Sequence, residues 1–335
     1  MFVIFLSKKS NQKRHPQFNT PNIYLLAFLI KISLLTRKSP FGNYSMLSFV
    51  AMNYVEQLEF LIKNALAEDI GDGDHSTLSC IDPDAEGVAI LKIKEDGILA
   101  GIEVAKKIFE YVQPGIGFTK YKEDGDEMKF GEIGFEVRAR VHTILSCERL
   151  VLNAMQRMSG IATLTRTYVN KLKGYHTKLL DTRKTTPNFR LLEKEAVLIG
   201  GGVNHRFGLY DMIMLKDNHI DYSGGIVNAI EKARAYVQEK KPGLKIEVEA
   251  RSLEDVREVM LTGKVDRIML DNFTPAQLSQ ALTMIEGKFE TEASGGINLM
   301  NLELFAATGV DYISSGAIIH QARSLDLSLK AKVID

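Results

Sequence analysis

The sequence lacks any excess of one charge: 42 Lys and Arg stand against 42 Asp and Glu, so no global field points to nucleic acid. It has little cysteine. Cys80 and Cys147 form no metal-binding spacing and suggest a reduced, cytoplasmic protein. It lacks the roughly 20 uninterrupted apolar residues of a membrane span. The nearest approach, "IYLLAFLIKISLL", is short and broken by Lys31. No clear small-residue cleavage site follows it, so it does not read as a signal peptide. Acids are missing altogether from residues 1–55, where Lys8, Lys9, Lys13, Arg14, Lys31, Arg37 and Lys38 occur. An organelle address would be richer in arginine than this segment is. The expectation is that residues 1–51 are an extension outside the fold, with translation starting at Met46 or Met52. Without them the chain has 35 basic and 42 acidic side chains, a mildly acidic body.

What is present begins with an amphipathic helix. "YVEQLEFLIKNALAED" places Val55, Leu58, Leu61, Ile62 and Leu66 on one face. "GDGDHST" has the aspartates of a calcium loop but no closing Glu, and reads as a turn. Short alternating runs such as "GVAILKIKED" and "GFEVRARVHTIL", with a helix near "EVAKKIFEYV", predict a strand-rich α+β region. A helical stretch follows from Ser146, a plausible N-cap, with a break expected at Ser159–Gly160.

From Lys178 the rhythm changes. Apolar strand candidates alternate with helical stretches, and Glu249, Asp271, Ser294 and Ser315 follow one another at intervals of 22, 23 and 21 residues. A strand, a turn and a helix fit that interval. Repeated units of this size build a parallel sheet, most economically a β/α barrel, with an open doubly wound sheet as the alternative. Each strand candidate ends in a polar group: Arg183 and Lys184, then Lys216, Glu249, Asp271, Ser294–Gly295 and Ser315–Gly316. In a barrel these ends share one rim, where catalytic groups sit. In "IEVEA", Glu247 and Glu249 alternate with aliphatic residues and so face the interior, where carboxylates are costly unless paired or bound to a ligand.

The rim has two chemical ends. Ser294–Gly295–Gly296 and Ser315–Gly316–Ala317 offer bare backbone N–H groups suited to a phosphate. Arg183, Lys184, His205, Arg206 and Lys216, with Gly200, Gly201 and Gly202 just ahead of His205, suit a highly anionic substrate. Glu249 and Asp271 lie between and could hold hydroxyls or a hard cation such as magnesium. That order describes phosphoribosyl pyrophosphate with an acidic co-substrate. The nucleotide-type phosphoribosyltransferase signature, a P-loop and a dinucleotide fingerprint are all absent. A Schiff-base barrel lyase using Lys216 is a rival of another class.

Together, "EDIGDGDHST", "CERLVLNAMQRMSGIAT", "DTRKTTPNFRLLEKEAVLIGGGVNHRFGLYDMIMLKDNH", "IEVEA", "IMLDNF", "EASGGI" and "DYISSGAI" resemble the quinolinate phosphoribosyltransferase family, from about Tyr54 to near the C-terminus. The resemblance implies an N-terminal α/β sandwich over residues 52–156 and an incomplete parallel β/α barrel over 157–316. A C-terminal helical segment, 317–335, would pack back on the first domain. It implies transfer of phosphoribosyl to quinolinate with decarboxylation, giving nicotinate mononucleotide for NAD biosynthesis, with Mg2+. It also implies a homodimer with shared active sites, or a higher oligomer, and no nucleic-acid or membrane partner. Arg149 would reach the neighbouring subunit's site. Thr182, Arg183, Lys184, His205, Arg206 and Lys216 would hold quinolinate and pyrophosphate. Glu249 and Asp271 would hold ribose and metal, and the two glycine turns the 5-phosphate. Lys184, Glu249 and Asp271 would carry the catalysis. A paralogue acting on another anion would share these residues.

Overall fold

The computed structural model describes residues 53–332. The expectations for residues 1–51, including a start at Met46 or Met52, lie outside the described residues. Helix α1 (Tyr54–Ile70) opens with a capping box: the Glu56 N–H donates to Asn53 Oδ1 at 3.0 Å, and the Asn53 N–H to Glu56 Oε2 at 2.9 Å. Its buried face is Leu58, Ile62 and Leu66; Val55, assigned to that face from the sequence, is exposed. The acidic turn after it ends at Asp74, which caps the short helix α2 (His75–Cys80).

The first domain is built on an antiparallel sheet. Strands β1 (Glu86–Ile93) and β2 (Gly97–Ile98) precede helix α3 (Ile102–Val112). Strands β3 (Gly117–Lys120), β4 (Glu127–Met128) and β5 (Ile133–Arg140) follow. Phe135 on β5 stacks on Phe118 at 4.6 Å and meets the edge of Phe109 on α3 at 6.4 Å, which ties sheet to helix through aromatic packing.

Helix α4 (Val141–Lys171) is 31 residues long and continuous. The break expected at Ser159–Gly160 does not occur, and Ser146 is not an N-cap but lies inside the helix. The two small residues serve close approach instead. Ser159 Oγ accepts from the Ala100 N–H at 3.0 Å, and a Cβ on Gly160 would collide with the Arg323 carbonyl. The expected domain boundary after residue 156 falls within this helix, which packs on the antiparallel sheet on one side and on the barrel helices on the other.

The parallel sheet then unfolds as the spacing predicts. Strand β6 (Lys178–Leu180) leads to helix α5 (Arg190–Ile199). Strand β7 (Ile213–Leu215) leads to helices α6 (Asp217–Ser223) and α7 (Ile226–Lys240). Strand β8 (Ile246–Ala250) is followed by α8 (Leu253–Thr262), β9 (Arg267–Asp271) by α9 (Pro275–Ile285), and β10 (Glu290–Ser294) by α10 (Leu302–Ala306). Strand β11 (Tyr312–Ser314) precedes helix α11 (Ala317–His320). The strand order is β6-β11-β10-β9-β8-β7. Among the described residues β6 and β7 do not pair, so the barrel stays open between them, with Val203 bridging to Leu180 beside β6.

The segment 317–335 departs from the helical expectation. Among its described residues only Ala317–His320 is helical, and Leu327–Lys332 is strand β12, antiparallel to β1 in the sheet order β12-β1-β5-β3. "LSLKAK" has a period of two: Leu327 and Leu329 are buried, while Lys330 is exposed. The segment does pack back on the first domain, through strand pairing.

Candidate active site

The cavity that the barrel rim encloses measures about 760 Å3. Its walls include Thr182, Arg183, Lys184, His205, Arg206, Lys216, Asp271, Ser294, Gly295, Gly296, Ser315, Gly316 and Ala317. The strands are in parallel register, with Ser294 opposite Asp271 and Ser314 opposite Leu180. Their C-terminal ends therefore open at one level, and residues 180 to 316 meet there.

At the cationic end, Asp181 is the buried anchor. Lys194 Nζ donates to Asp181 Oδ1 at 2.5 Å, and the His205 N–H donates to the same oxygen at 2.8 Å. Lys194 also donates to the His205 carbonyl at 3.0 Å. Burial pushes the Asp181 carboxyl up to about 6 although Lys194 pulls the other way. So the acid in "DTRK" joins the strand end that bears Arg183 to the loop that bears His205 and Arg206. Arg183 Nε is buried and has no hydrogen-bond partner among the described residues. Arg206 donates to the Met212 carbonyl at 3.2 Å. Burial, then the charge of Arg183, hold its guanidinium below the usual arginine range. Two half-buried guanidiniums held side by side form a receptor for an anion.

Lys216 Nζ donates to Glu249 Oε2 at 2.6 Å, and Glu249 is buried as its inward position requires. Glu249 itself is not part of the cavity wall; it meets the cavity through Lys216. A Schiff-base amine is activated by desolvation or a neighbouring cation. Lys216 is 45% exposed and sits on a carboxylate, which disfavours the lyase reading. Burial and then the charge of Glu249 push the Asp271 carboxyl up. Asp271 and Glu249 are neighbouring carboxylates whose oxygens suit a hard cation, so these residues fit magnesium.

The glycine turns close the other end. Gly295 has φ +96°, and a Cβ there would strike Asn272 Oδ1. A Cβ on Gly316 would lie 3.0 Å from Lys184 Cδ. Bare backbone is therefore required at Gly295, whereas at Gly316, with φ −70°, a Cβ would crowd the Lys184 and His320 side chains. Ser315 is more structural than expected: its N–H donates to the Leu180 carbonyl at 3.0 Å and its hydroxyl to the Ile297 carbonyl at 3.1 Å.

Arg149 is not brought to this cavity within the chain. It stands exposed on α4, 3.8 Å from its neighbour Glu148. Several residues around the site escaped the sequence reading. Asn272, Asn298 and His320 line the wall, as does Glu292. Glu292 lies below the rim in a buried cluster: His205 Nε2 is 2.9 Å from Glu247 and 3.2 Å from Glu292, and Arg267 Nη1 is 3.2 Å from Glu292. The Arg206 N–H points to His205 Nδ1 at 2.6 Å, which leaves the ring proton on Nε2, facing the carboxylates. Burial and the charge of Glu292 push Glu247 up to about 7. Burial would raise Glu292 as well, but His205, Ser314 and Arg267 outweigh it and hold it below its usual value. The three side chains could suit a metal, yet Arg267 already supplies their cation, and the cluster forms an ionic floor under the site. "ETEAS" alternates as "IEVEA" does, and the same inward reading would have found Glu292.

A parallel barrel with cations at one end of its rim, paired acids in the middle and bare glycine turns at the other end defines a transferase of phosphorylated, anionic substrates. Comparison with known proteins places it. Residues 161–330 match the quinolinate phosphoribosyl transferase C-terminal domain, and residues 74–159 match the N-terminal domain of the same family. The chain is 44% identical over 288 residues to the chloroplastic carboxylating nicotinate-nucleotide pyrophosphorylase of Arabidopsis thaliana, covering 82% of each chain. It is 43% identical over 278 residues to a probable enzyme of the same name from Bacillus subtilis, covering 83% of this chain and 94% of that one. The solved structure of NadC from Streptococcus pyogenes superposes with a TM-score of 0.78 at 41% identity, over 86% of this chain and all of that one. The chain belongs to the quinolinate phosphoribosyltransferase family.

Proposed function

We propose that this chain transfers the phosphoribosyl group of phosphoribosyl pyrophosphate to quinolinate and releases pyrophosphate and carbon dioxide, yielding nicotinate mononucleotide for NAD biosynthesis. The observation that carries this reading is the unpaired, buried Arg183 Nε beside Arg206. The pair shares its cavity with the two glycine turns and with Asp271.

In this reading Arg183, Arg206 and Lys216 hold the quinolinate carboxylates above the floor that His205 forms with Glu247 and Glu292, with Thr182 and Lys184 near the leaving pyrophosphate. The bond from ribose C1 to the pyrophosphate oxygen breaks as the quinolinate ring nitrogen forms its bond to C1. Glu249 and Asp271 offset the positive charge that develops on the ribose. The product nitrogen is a pyridinium, an electron sink, so the adjacent carboxylate leaves as carbon dioxide and the ring carbon takes a proton from water. No strong general base is required, because the ring nitrogen carries no proton to remove. Glu249 and Asp271 would hold magnesium, directly or through water, and the ion would supply charge neutralisation for the pyrophosphate.

Arg149 acts in the site of a second copy, which makes the working unit a homodimer or a higher oligomer. The protein works in the cytoplasm, without nucleic-acid or membrane partners; among the described residues no helix is long and apolar enough to cross a membrane. Incubation with both substrates and magnesium tests the activity: nicotinate mononucleotide must form and must require each substrate. Fractionation of the native source tests the location, and a signal confined to an organelle contradicts it.

A further inference from the structure

Arg157 on α4 and Glu193 on α5 lie behind the cavity wall. The Glu193 side chain is fully buried, so its charge must be met inside the protein. Arg157 Nε donates to Glu193 Oε1 at 2.9 Å. Thr186 donates twice, its N–H to Oε2 at 2.8 Å and its hydroxyl to Oε1 at 2.9 Å. The rest of the guanidinium reaches the other way: Nη1 to the Ala322 carbonyl at 2.5 Å and Nη2 to the Ile319 carbonyl at 2.9 Å.

The two sides of this network are the loop after β6 and the segment after β11, neighbouring strands whose ladder ends where Ser314 faces Leu180. Thr186 ends the loop that carries Thr182, Arg183 and Lys184. Ile319 and Ala322 flank His320 and Gln321, which line the cavity just past the second glycine turn. The cationic loop has two other side-chain ties to α5, Lys194 Nζ to Asp181 Oδ1 at 2.5 Å and Arg190 Nε to Thr185 Oγ1 at 2.9 Å, but Lys194 then joins the His205 carbonyl and Arg190 the Phe207 carbonyl, both at 3.0 Å, and both stay on the cationic side. Arg157 with Glu193 spans from one side to the other.

We propose that Arg157 and Glu193 are positioning residues whose ion pair sets the separation between the cationic loop and the segment after the second glycine turn. That separation is the distance at which acceptor and phosphoribosyl donor are held. The inference rests on the transferase reading above. Two substrates held on separate loops react only when those loops keep their spacing, and a misplacement of about 1 Å can cost about a hundredfold in rate.

Arg157→Lys keeps the charge and one bond to Glu193 but loses the fork to Ile319 and Ala322. Thr186→Ala is the milder variant, since Thr186 is exposed, and it removes only the hydroxyl bond; Thr186→Ser restores it. Steady-state kinetics with each substrate varied, alongside thermal melts, gives the test. A wild type that forms no nicotinate mononucleotide defeats the transferase reading itself. With active wild type, Thr186→Ala raises the quinolinate KM by about 2–10-fold, the range of one hydrogen bond, and Thr186→Ser returns it to the wild-type value. Arg157→Lys raises the phosphoribosyl pyrophosphate KM and lowers kcat, and the double variant is not the product of the singles. Lowered melting temperatures with kcat and both KM values unchanged would show a merely structural pair and overturn the proposal. Failure of Thr186→Ser to restore the quinolinate KM would also overturn it.

Discussion

Arg183→Ala separates function from stability more sharply than any other substitution at the rim. Among the described residues the buried cations Lys194 and Arg267 are paired, with Asp181 and Glu292, and the partly buried Arg157 meets the fully buried Glu193. Truncating one of those leaves an uncompensated buried charge, at about 3–5 kcal/mol. Arg183 differs, because its buried Nε has no partner among the described residues and its charge repels Arg206. Its removal breaks no ion pair and relieves that repulsion. The unliganded variant should therefore melt at or slightly above the wild-type temperature. Activity should move the other way. A charge-assisted contact to an anion contributes about 1.5–3 kcal/mol, or about 10–150-fold, and kcat/KM for quinolinate should fall by that factor. Differential scanning calorimetry and steady-state kinetics on one preparation read both quantities. Near-wild-type turnover would refute the anion contact. A melting temperature lower by several degrees would refute the claim that Arg183 is held unpaired for a ligand.

Glu249→Gln should lower kcat more than it raises the KM for phosphoribosyl pyrophosphate, since the amide keeps the size and loses the charge that opposes the ribosyl cation; a pure KM effect in steady-state kinetics would contradict this. Gly295→Ala places a Cβ against Asn272 at φ +96° and should abolish donor binding, measured by calorimetry, while quinolinate still binds. Asp181→Asn should cost about 3–5 kcal/mol in denaturant unfolding by stranding Lys194, and Lys194→Met in the same chain should recover most of it; no recovery would mean that Asp181 acts beyond the pair. Inactive Arg149→Ala mixed with inactive Arg183→Ala should regain activity once subunits exchange, approaching half the wild-type value per mixed dimer. Verified exchange without activity would place Arg149 outside the shared site.

The features legible in the sequence were those written with a local period. Strand, turn and helix recur from Glu249 to Ser315, and the rim residues fall at the strand ends because each strand must stop where its apolar alternation stops. Glu247 and Glu249 were legible as inward for the same reason. What escaped depends on partners distant in sequence. Ser159–Gly160 looks like a helix break until Ala100 and Arg323 are seen packed against it. Leu327–Lys332 follows a helical turn, and its strand character is set by pairing with β1, more than 230 residues earlier. Glu193 and Arg157 are ordinary amphipathic-helix residues in isolation, and only the fold joins them 36 positions apart.

The central claim is that one rim holds a dianionic pyridine acceptor and a phosphoribosyl donor together. It is tested most directly with quinolinate labelled in its 2-carboxylate, phosphoribosyl pyrophosphate and magnesium. The account predicts that labelled carbon dioxide, pyrophosphate and nicotinate mononucleotide appear in equal amounts, that omission of any substrate stops all three, and that nicotinate is a far poorer acceptor. Carbon dioxide release without the nucleotide, or preference for a pyridine that lacks the second carboxylate, would contradict it.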